Sequence, residues 1–482
     1  MTPDLVAAAI KHVLLNPHLF SEKVLGLPLR PYQLEVIGAV VDSVLHRSGL
    51  TFTVHMARQM GKNETSAHLE TYLLNLFQRR NACMVKAAPT FKPQTINSMM
   101  RIEKTLGNPW NRGKWHKAHG YIYQLGQAQL AFLSGETNSN VVGHTANTLL
   151  EIDEAQDFDA EKYSKDFRPM ASTGNATTVM YGTAWTSETL LAAQIAINKN
   201  AEKKDGIRRH FEYPWHVLAE ISPEYGQFVQ TERDRLGPDH PTFLTQYALT
   251  TIDELARLFS RPALAAMRSA SSHPTVATSS SVAVAGLDIA GEAREAGEAR
   301  KHDRTVLLLG RAGTVPPGDP VCHITEMLSW QGTPHHELVP QIATILAGRN
   351  VRAVAVDTTG IGATTASMLI ARLGESRVLP IVYSRPAKSA LAFSLIAAAN
   401  SGRLTVAPPD GMRNAEEKLF WHECEHALRR ALPGGLLDFY VPEPDHDDFV
   451  NALALVVHAA EHLAMPAHAA DILMPVADKE QF

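Results

Sequence analysis

The sequence predicts two consecutive α/β domains, a parallel sheet with crossover helices and then a second sheet whose first strands run antiparallel. Three observations carry this expectation. Short apolar runs alternate with helical stretches over the first half of the chain. A Ser/Thr-rich segment, RSASSHPTVATSSS at 268–281, breaks the pattern. Beyond it, three apolar runs follow one another with short connections.

The first domain is expected at 1–267. LTFTVHMA reads as a strand, and Leu69, Tyr72, Leu73, Leu76 and Phe77 give residues 62–78 helical spacing. ACMVKAAP, QLAFLSG, TLLEID and TTVMYGTA are further short strands, each closed by small or polar residues. Strands separated by helices imply a parallel sheet. Residues 195–267 are polar and mixed, and suggest a small helical lid subdomain. Residues 268–281 form the expected linker, and 466–482 a weakly structured tail.

The second domain is expected at 282–465. VAVAGLDIA, TVLLLG and HITEMLSW read as a meander. AGEAREAGEARKHD at 290–303 would form a charged hairpin tip between the first two. A helix at 335–348, the strand VRAVAVD, a helix at 363–373, the strand VLPIVY and helices ending at 446–462 complete the order. Three meandering strands followed by alternating strands and helices is the order of a ribonuclease H-like fold.

Bulk properties exclude several classes. Of 482 residues, 45% are hydrophobic and 20% charged, the profile of a globular protein with ample core. Cys83, Cys322 and Cys424 are scattered and form no CxxC pair, so neither a disulfide framework nor a zinc site is expected from cysteine, in keeping with a reducing cytosol. The first twenty residues lack the cationic start and long apolar run of a signal peptide. No stretch of about 18 uninterrupted apolar residues suggests a membrane span. A formal net charge of −5 gives no global reason to expect nucleic acid. Basic clusters at 78–80, 111–117, 203–204 and 208–210 read as solvated faces.

Two constellations carry chemistry. HMARQMGKNET at 55–65 has the Gly61-Lys62 pair of a phosphate-binding loop, but Met56 and Asn63 stand where a glycine and a hydroxyl residue are usual. The physical requirement is a tight loop of backbone N–H groups at a helix N-terminus, with a lysine reaching the terminal phosphates. About ninety residues later TLLEIDEAQD ends an apolar strand in Asp153, with Glu154 next, and the two motifs are expected on successive strands of one sheet. A strand-end Asp can hold magnesium, and the following Glu can orient water for attack on a γ-phosphate.

The second constellation is acidic. Asp288 ends VAVAGLD, Asp357 ends VRAVAVD, and Asp445, Asp447 and Asp448 precede an apolar helix. In a ribonuclease H-like fold these positions converge at one sheet edge. Clustered carboxylates repel, and cations relieve that repulsion. Two ions about 4 Å apart can activate water and stabilise the leaving oxygen of a phosphodiester. Hard oxygen ligands favour Mg2+ or Mn2+.

Together ARQMGKNE and IDEAQD resemble the deviant nucleotide-binding motifs of the large terminase subunit of tailed bacteriophages. RPYQ at 30–33 is similar to that family's adenine-contacting motif, and MYGTAW at 180–185 to its coupling motif. GLDIAG, VAVDTTGIG and DHDDFVNALAL resemble its three acidic nuclease motifs. The resemblance spans roughly residues 20–462.

It implies a P-loop ATPase domain followed by a ribonuclease H-like endonuclease. Gln33, Arg58, Gly61, Lys62, Asn63, Asp153 and Thr183 would bind nucleotide. Glu154 would catalyse ATP hydrolysis, with Gly182 beside Thr183 sensing the γ-phosphate. Asp288, Asp357 and Asp447 would hold the nuclease metals, with Asp448 an alternative to Asp447 and Asp303 an accessory position. The implied cofactors are ATP and Mg2+, with Mn2+ possible at the nuclease site. The implied function is a viral DNA-packaging motor that translocates double-stranded DNA into a procapsid and cuts concatemeric DNA at initiation and termination. Implied partners are double-stranded DNA, the portal protein, a small terminase subunit and further copies of the chain in a homo-oligomeric ring, usually a pentamer. No membrane is implied. The expected location is the host cytoplasm, transiently at the portal vertex and not in the mature virion. The alternative is a helicase or repair translocase fused to a resolvase-like nuclease, and a third possibility is a non-enzymatic nucleotide-gated DNA-docking component.

Overall fold

A computed structural model describes residues 3–141, 143–268, 281–290, 304–315, 319–360, 362–407 and 415–464. The chain divides into two compact units, one of residues 1–229 and 244–252, the other of 230–243 and 253–482.

In the first unit eight strands form one sheet. They are β1 (Thr51–Met56), β2 (Cys83–Ala88), β3 (Trp115–Ala118), β4 (Ile122–Leu125), β5 (Ala128–Ser134), β6 (Leu149–Ile152), β7 (Thr177–Gly182) and β8 (His210–Tyr213). Their order is β3-β4-β5-β2-β6-β7-β1-β8. From β5 to β8 every neighbouring pair is parallel, and only the β3–β4–β5 edge is antiparallel. The central strands β2, β6 and β7 are buried on both faces, as a parallel sheet covered by helices requires. The helix Lys62–Phe77 follows β1, matching the spacing read from 62–78.

Two expectations change here. β1 and β6 are not neighbours, because β7 lies between them. That insertion brings the end of β7, Thr183, to the mouth of the same cleft. Residues 195–267 do hold helices, at Leu190–Asp205, Trp215–Ala219, Pro223–Leu236, Pro241–Gln246 and Arg261–Arg268. They do not form a separate lid: β8 joins the first sheet, and residues 230–243 and 253–267 pack with the second unit. The packing division thus precedes the 267/268 boundary. Residues 269–280, most of the expected linker, lie outside the described residues, as do 291–303 and the tail.

The second unit contains β9 (Leu255–Arg257), β10 (Val282–Asp288), β11 (Thr305–Val315), β12 (Asp319–Trp330), β13 (Val351–Asp357), β14 (Val378–Ile381), β15 (Leu404–Val406), β16 (Leu428–Leu432) and β17 (Leu436–Tyr440). The main sheet runs β14-β13-β10-β11-β12-β15. β10, β11 and β12 are the antiparallel meander, and β13 and β14 add in parallel beyond β10. This is the ribonuclease H-like order. A smaller sheet pairs β9 and β17 on either side of β16.

The helix Asp448–Ala464 crosses this sheet with almost every residue from Asp448 to Ala460 buried. Gly286 makes the crossing possible. A Cβ there would stand 2.2 Å from the carbonyl oxygen of Ala452 and 2.4 Å from the amide nitrogen of Val456. Only glycine lets the helix backbone lie on β10.

Candidate nucleotide and metal sites

β1 leads into a tight loop that ends at the helix Lys62–Phe77. Gln59 (φ +67°) and Gly61 (φ +86°) both take left-handed conformations to make the turn. The loop is supported from behind by the N-terminus of the helix Pro31–His46. The Tyr32 hydroxyl donates to the Met60 carbonyl at 2.7 Å, and Gln33 Nε2 donates to the Gly61 carbonyl at 3.2 Å. Gln33 Oε1 accepts from the Arg30 amide at 2.9 Å. A Cβ at Gly61 would approach Gln33 Nε2 to 2.6 Å. Gln33 is buried, both ends of its amide are engaged, and it does not line the cleft. In this structure it braces the loop, whereas the sequence suggested a contact to adenine.

In front of the loop lies a cleft of about 450 Å³, within the range of small-ligand sites. Arg58, Gly61, Lys62, Asn63, Glu154 and Thr183 line it, joined by Arg101 and Gln246. Lys62 Nζ lies 2.6 Å from Glu154 Oε1 and 3.9 Å from Asp153 Oδ1. Burial opposes the Lys62 charge, but Glu154 and Asp153 outweigh it and raise its pKa. Burial likewise opposes ionisation of Glu154, yet Lys62 and Gln156 hold its carboxyl below the usual range. Asp153, more deeply enclosed, is pushed up by burial despite Lys62. Glu154 itself sits at φ +47°, a strained backbone for a non-glycine residue.

Gln156, unassigned from the sequence, connects these groups. Its Nε2 donates to Glu154 Oε2 at 2.7 Å and to Asp157 Oδ2 at 3.1 Å. Its Oε1 accepts from the Thr183 amide at 3.2 Å. Gly182 leaves the room for it, since a Cβ there would lie 2.2 Å from Gln156 Oε1. Thr183 Oγ1 in turn accepts from Gln246 Nε2 at 3.2 Å.

Beneath the loop is a buried charge network that the sequence did not suggest. Lys86 Nζ on β2 donates to Ser66 Oγ at 2.6 Å and to Glu70 Oε1 at 2.8 Å. Ser66 Oγ contacts Glu70 Oε1 and Glu151 Oε1, and the Tyr181 hydroxyl donates to Glu151 Oε1 at 2.8 Å. Burial and the Glu70 charge push the Glu151 carboxyl far above its usual range. The network ties the helix after the loop to β2, β6 and β7. A lysine inside an apolar strand such as ACMVKAAP was its one sequence signal.

In the second unit the register of β10 on β13, with Leu287 opposite Val356, sets Asp288 and Asp357 side by side at the strand ends. The helix crossing at Gly286 brings Asp447 and Asp448 to them. The other three carboxylates act on the first: burial above all, then Asp448, Asp357 and Asp447, push the Asp288 carboxyl far above its usual range. Asp357 Oδ1 accepts from the Thr359 amide at 2.8 Å and hydroxyl at 2.7 Å. Asp447 Oδ1 accepts from Asn451 Nδ2 at 3.1 Å, and Asp448 Oδ2 from the Arg304 amide at 2.8 Å. Asp303 lies outside the described residues.

Two further residues border the cluster. The Tyr383 hydroxyl is buried without a hydrogen-bond partner, and burial together with Asp288, Asp357 and Asp447 raises its pKa. Glu423 Oε2 accepts from the amides of Phe449 and Val450, capping the helix that carries Asp448. Burial and Asp448 push the Glu423 carboxyl up to about 9. Neither residue sits in a motif, so periodicity could not have found them.

The donor sets fit the implied ions. Three carboxylates beside a buried Asp288 offer an oxygen-only donor set for hard divalent cations. At the cleft, Asn63 Oδ1 is buried and unpartnered and Asp153 is enclosed beside Lys62, a set suited to the magnesium of a nucleotide.

Comparison with known proteins follows the same division. Residues 285–460 match the family described as Terminase RNaseH-like domain. The large terminase of a thermophilic bacteriophage superposes with a TM-score of 0.55 at 12% identity, covering 89% of this chain and 98% of that one. The same phage protein in complex with ATP-gamma-S gives 0.51 at 12% identity over 90% and 99%. No curated protein matches the sequence.

Proposed function

We propose, from the match of residues 285–460 to the terminase RNase H-like domain family and from a fold shared with a phage large terminase over 89% of the chain, that this protein is an ATP-driven viral DNA-packaging motor with a metal-dependent endonuclease on the same chain. The observation that carries the proposal is the pairing of a Lys62–Glu154–Asp153 cleft in one unit with a four-aspartate cluster in the other.

In the motor half, the loop amides and Lys62 bind the terminal phosphates of ATP. To do so Lys62 must give up its ion pair with Glu154, so nucleotide binding frees that carboxylate. Glu154, still oriented by Gln156, then positions the attacking water. Arg58, lining the cleft, adds positive charge where negative charge accumulates. Gln156 and Thr183 register the state of Glu154 on β7. Asp153 and Asn63 would hold Mg2+, which when bound neutralises phosphate charge.

In the nuclease half, Asp288, Asp357, Asp447 and Asp448 would hold Mg2+ or Mn2+. Bound there, such ions would supply an activated water and stabilisation of the leaving oxygen of a phosphodiester. The protein fixes the carboxylates: β10 and β13 set two by register, and the helix crossing at Gly286 sets the others. Glu423 holds that helix by its first amides. DNA would be gripped by its phosphates, with salt-sensitive and weakly selective binding. The substrate is double-stranded DNA, and the partners are the portal, a small terminase subunit and a ring of further copies of this chain. The site of action is the host cytoplasm at the portal vertex. No helix among the described residues is long and apolar enough to cross a membrane.

The deciding experiment measures ATP turnover with DNA alone, with portal-bearing procapsids, and with both, alongside nuclease protection of packaged DNA. A packaging motor turns over faster with procapsids and protects DNA. Stimulation by DNA alone, without protection, would instead indicate a helicase or repair translocase.

A further inference from the structure

On the first unit, outside the cleft lining but next to it in the chain at Met56, His55, His210 and Glu212 stand together on two adjacent strands. β1 and β8 are parallel with Thr53 opposite His210 and His55 opposite Glu212. The strand period of two puts all four side chains on one face. One ligand-type atom from each of His55, His210 and Glu212 lies within 4.8 Å of the others. We propose that these three residues form a site for a zinc-type divalent metal, a staple that fastens the edge strand β8 to β1 at the point where β1 enters the phosphate-binding loop.

Two imidazoles and one carboxylate are the donor set of a three-ligand zinc site with a fourth position open to water. The independent observation is His55. Its side chain is nine-tenths or more buried, and neither ring nitrogen has a hydrogen-bond partner. Its nearest acidic oxygen, Glu212 Oε2, is 3.7 Å from Nδ1, too far for a hydrogen bond. A buried imidazole with two unsatisfied nitrogens costs stability, and metal coordination removes that cost at one of them. Burial lowers the pKa of the His55 ring against the pull of Glu212, which favours the neutral form that ligates.

His210 is already oriented. Its Nδ1 lies 2.9 Å from Thr53 Oγ1, and Asn198 Nδ2 donates to that hydroxyl at 3.1 Å. Without an ion the Nε2–H donates to Glu212 Oε2 at 3.0 Å; a ring proton held instead on Nδ1 and donated to Thr53 would free the Nε2 lone pair for the metal. Support of this kind, a hydroxyl fixing the tautomer of a ligating histidine, is general at metal sites. Glu212 is partly exposed, which leaves a path for the ion and a water. Lys199 Nζ lies 3.4 Å from Glu212 Oε2, partly exposed on a flexible stem. A divalent ion would displace this single charge into solvent.

The test uses the full chain carrying Asp288→Asn and Asp357→Asn, so that the aspartate cluster does not compete. Zn2+ binding is followed by calorimetry, and Co2+ by its visible absorption. The expected result is one Zn2+ per chain, a rise in Tm with Zn2+, and the intense Co2+ bands of a tetrahedral nitrogen-containing site. Glu212→Gln and His210→Gln should each weaken binding by more than about tenfold, while Lys199→Ala should tighten it. Glu212→Gln changes a partly exposed side chain, so it remains informative if His210→Gln fails to fold. Zn2+ affinity unchanged in Glu212→Gln, or Co2+ spectra of an octahedral all-oxygen site, would overturn the proposal.

Discussion

Lys62 Nζ lies 2.6 Å from Glu154 Oε1 across 92 residues of chain, so the cation suited to phosphate is already neutralised by the carboxylate suited to water. On the proposed function the two roles compete for one ion pair, which ATP would have to break. Glu154→Gln removes the charge while keeping the shape. ATP should then bind at least as well as in the wild type, because Lys62 no longer has to leave a carboxylate. Turnover should fall by about 10²–10⁴-fold, the usual worth of a positioned general base. Fluorescent-nucleotide binding and phosphate release measure the two effects separately.

Asp357 should separate the two activities. Asp357→Ala removes one carboxylate from the four-aspartate cluster and touches nothing in the cleft. Cleavage of supercoiled DNA in Mg2+ should disappear while the rate of ATP hydrolysis stays at the wild-type level. Normal cutting by this variant would show that the cluster is not the nuclease site.

Gly286→Ala tests the helix crossing. The added methyl would have to displace the backbone at Ala452 and Val456. Overpacking of this kind costs about 1–3 kcal/mol. The loss should appear in denaturant unfolding of the second unit. Cutting should fall by more than the stability loss explains, because the shift moves Asp447 and Asp448 away from Asp288.

Lys86→Met should be among the most damaging changes in the first unit. It leaves the buried Glu70 without its cation, an imbalance worth about 3–5 kcal/mol when one partner of a buried pair is removed. Thermal unfolding would register it. Adding Glu70→Gln to Lys86→Met should recover part of the loss, since the uncompensated charge is then gone.

Glu423 predicts a pH dependence. Its folded pKa of about 9 lies above the ordinary 4.5 of an exposed glutamate. Between those values the folded protein keeps a proton that the unfolded chain has released. The contribution is therefore fully present below about pH 4.5 and is lost as pH rises through about 9, with a limiting slope near 1.4 kcal/mol per pH unit. In EDTA, stability should decline across this window, and Glu423→Gln should flatten the decline. A wild-type curve that rises with pH there, unchanged by Glu423→Gln, would contradict the assignment.

What was legible in the sequence follows from locality. Lys62 and Asp153 sit at strand–loop junctions that apolar patterning marks. Asp288 and Asp357 end runs of Val and Ala, and the order of the second domain's strands reads directly as a meander followed by alternation. The roles of Gln156, Glu423 and Tyr383 were not legible, and Lys86 gave only the signal of a lysine in an apolar strand, because each role depends on residues distant in the chain. Gln33 illustrates the limit: its motif was visible, but its amide is committed to Arg30 and Gly61, which no local pattern reveals.

The sequence by itself determined the elements and the residue types available at their ends, since hydrophobic period and turn chemistry are properties of a few consecutive residues. The tertiary structure alone decided that β7 lies between β1 and β6, that residues 230–243 and 253–267 pack with the second unit, and that a helix backbone lies on Gly286 to complete the aspartate cluster. Those outcomes depend on which distant surfaces bury one another, and burial is a property of the whole packed chain.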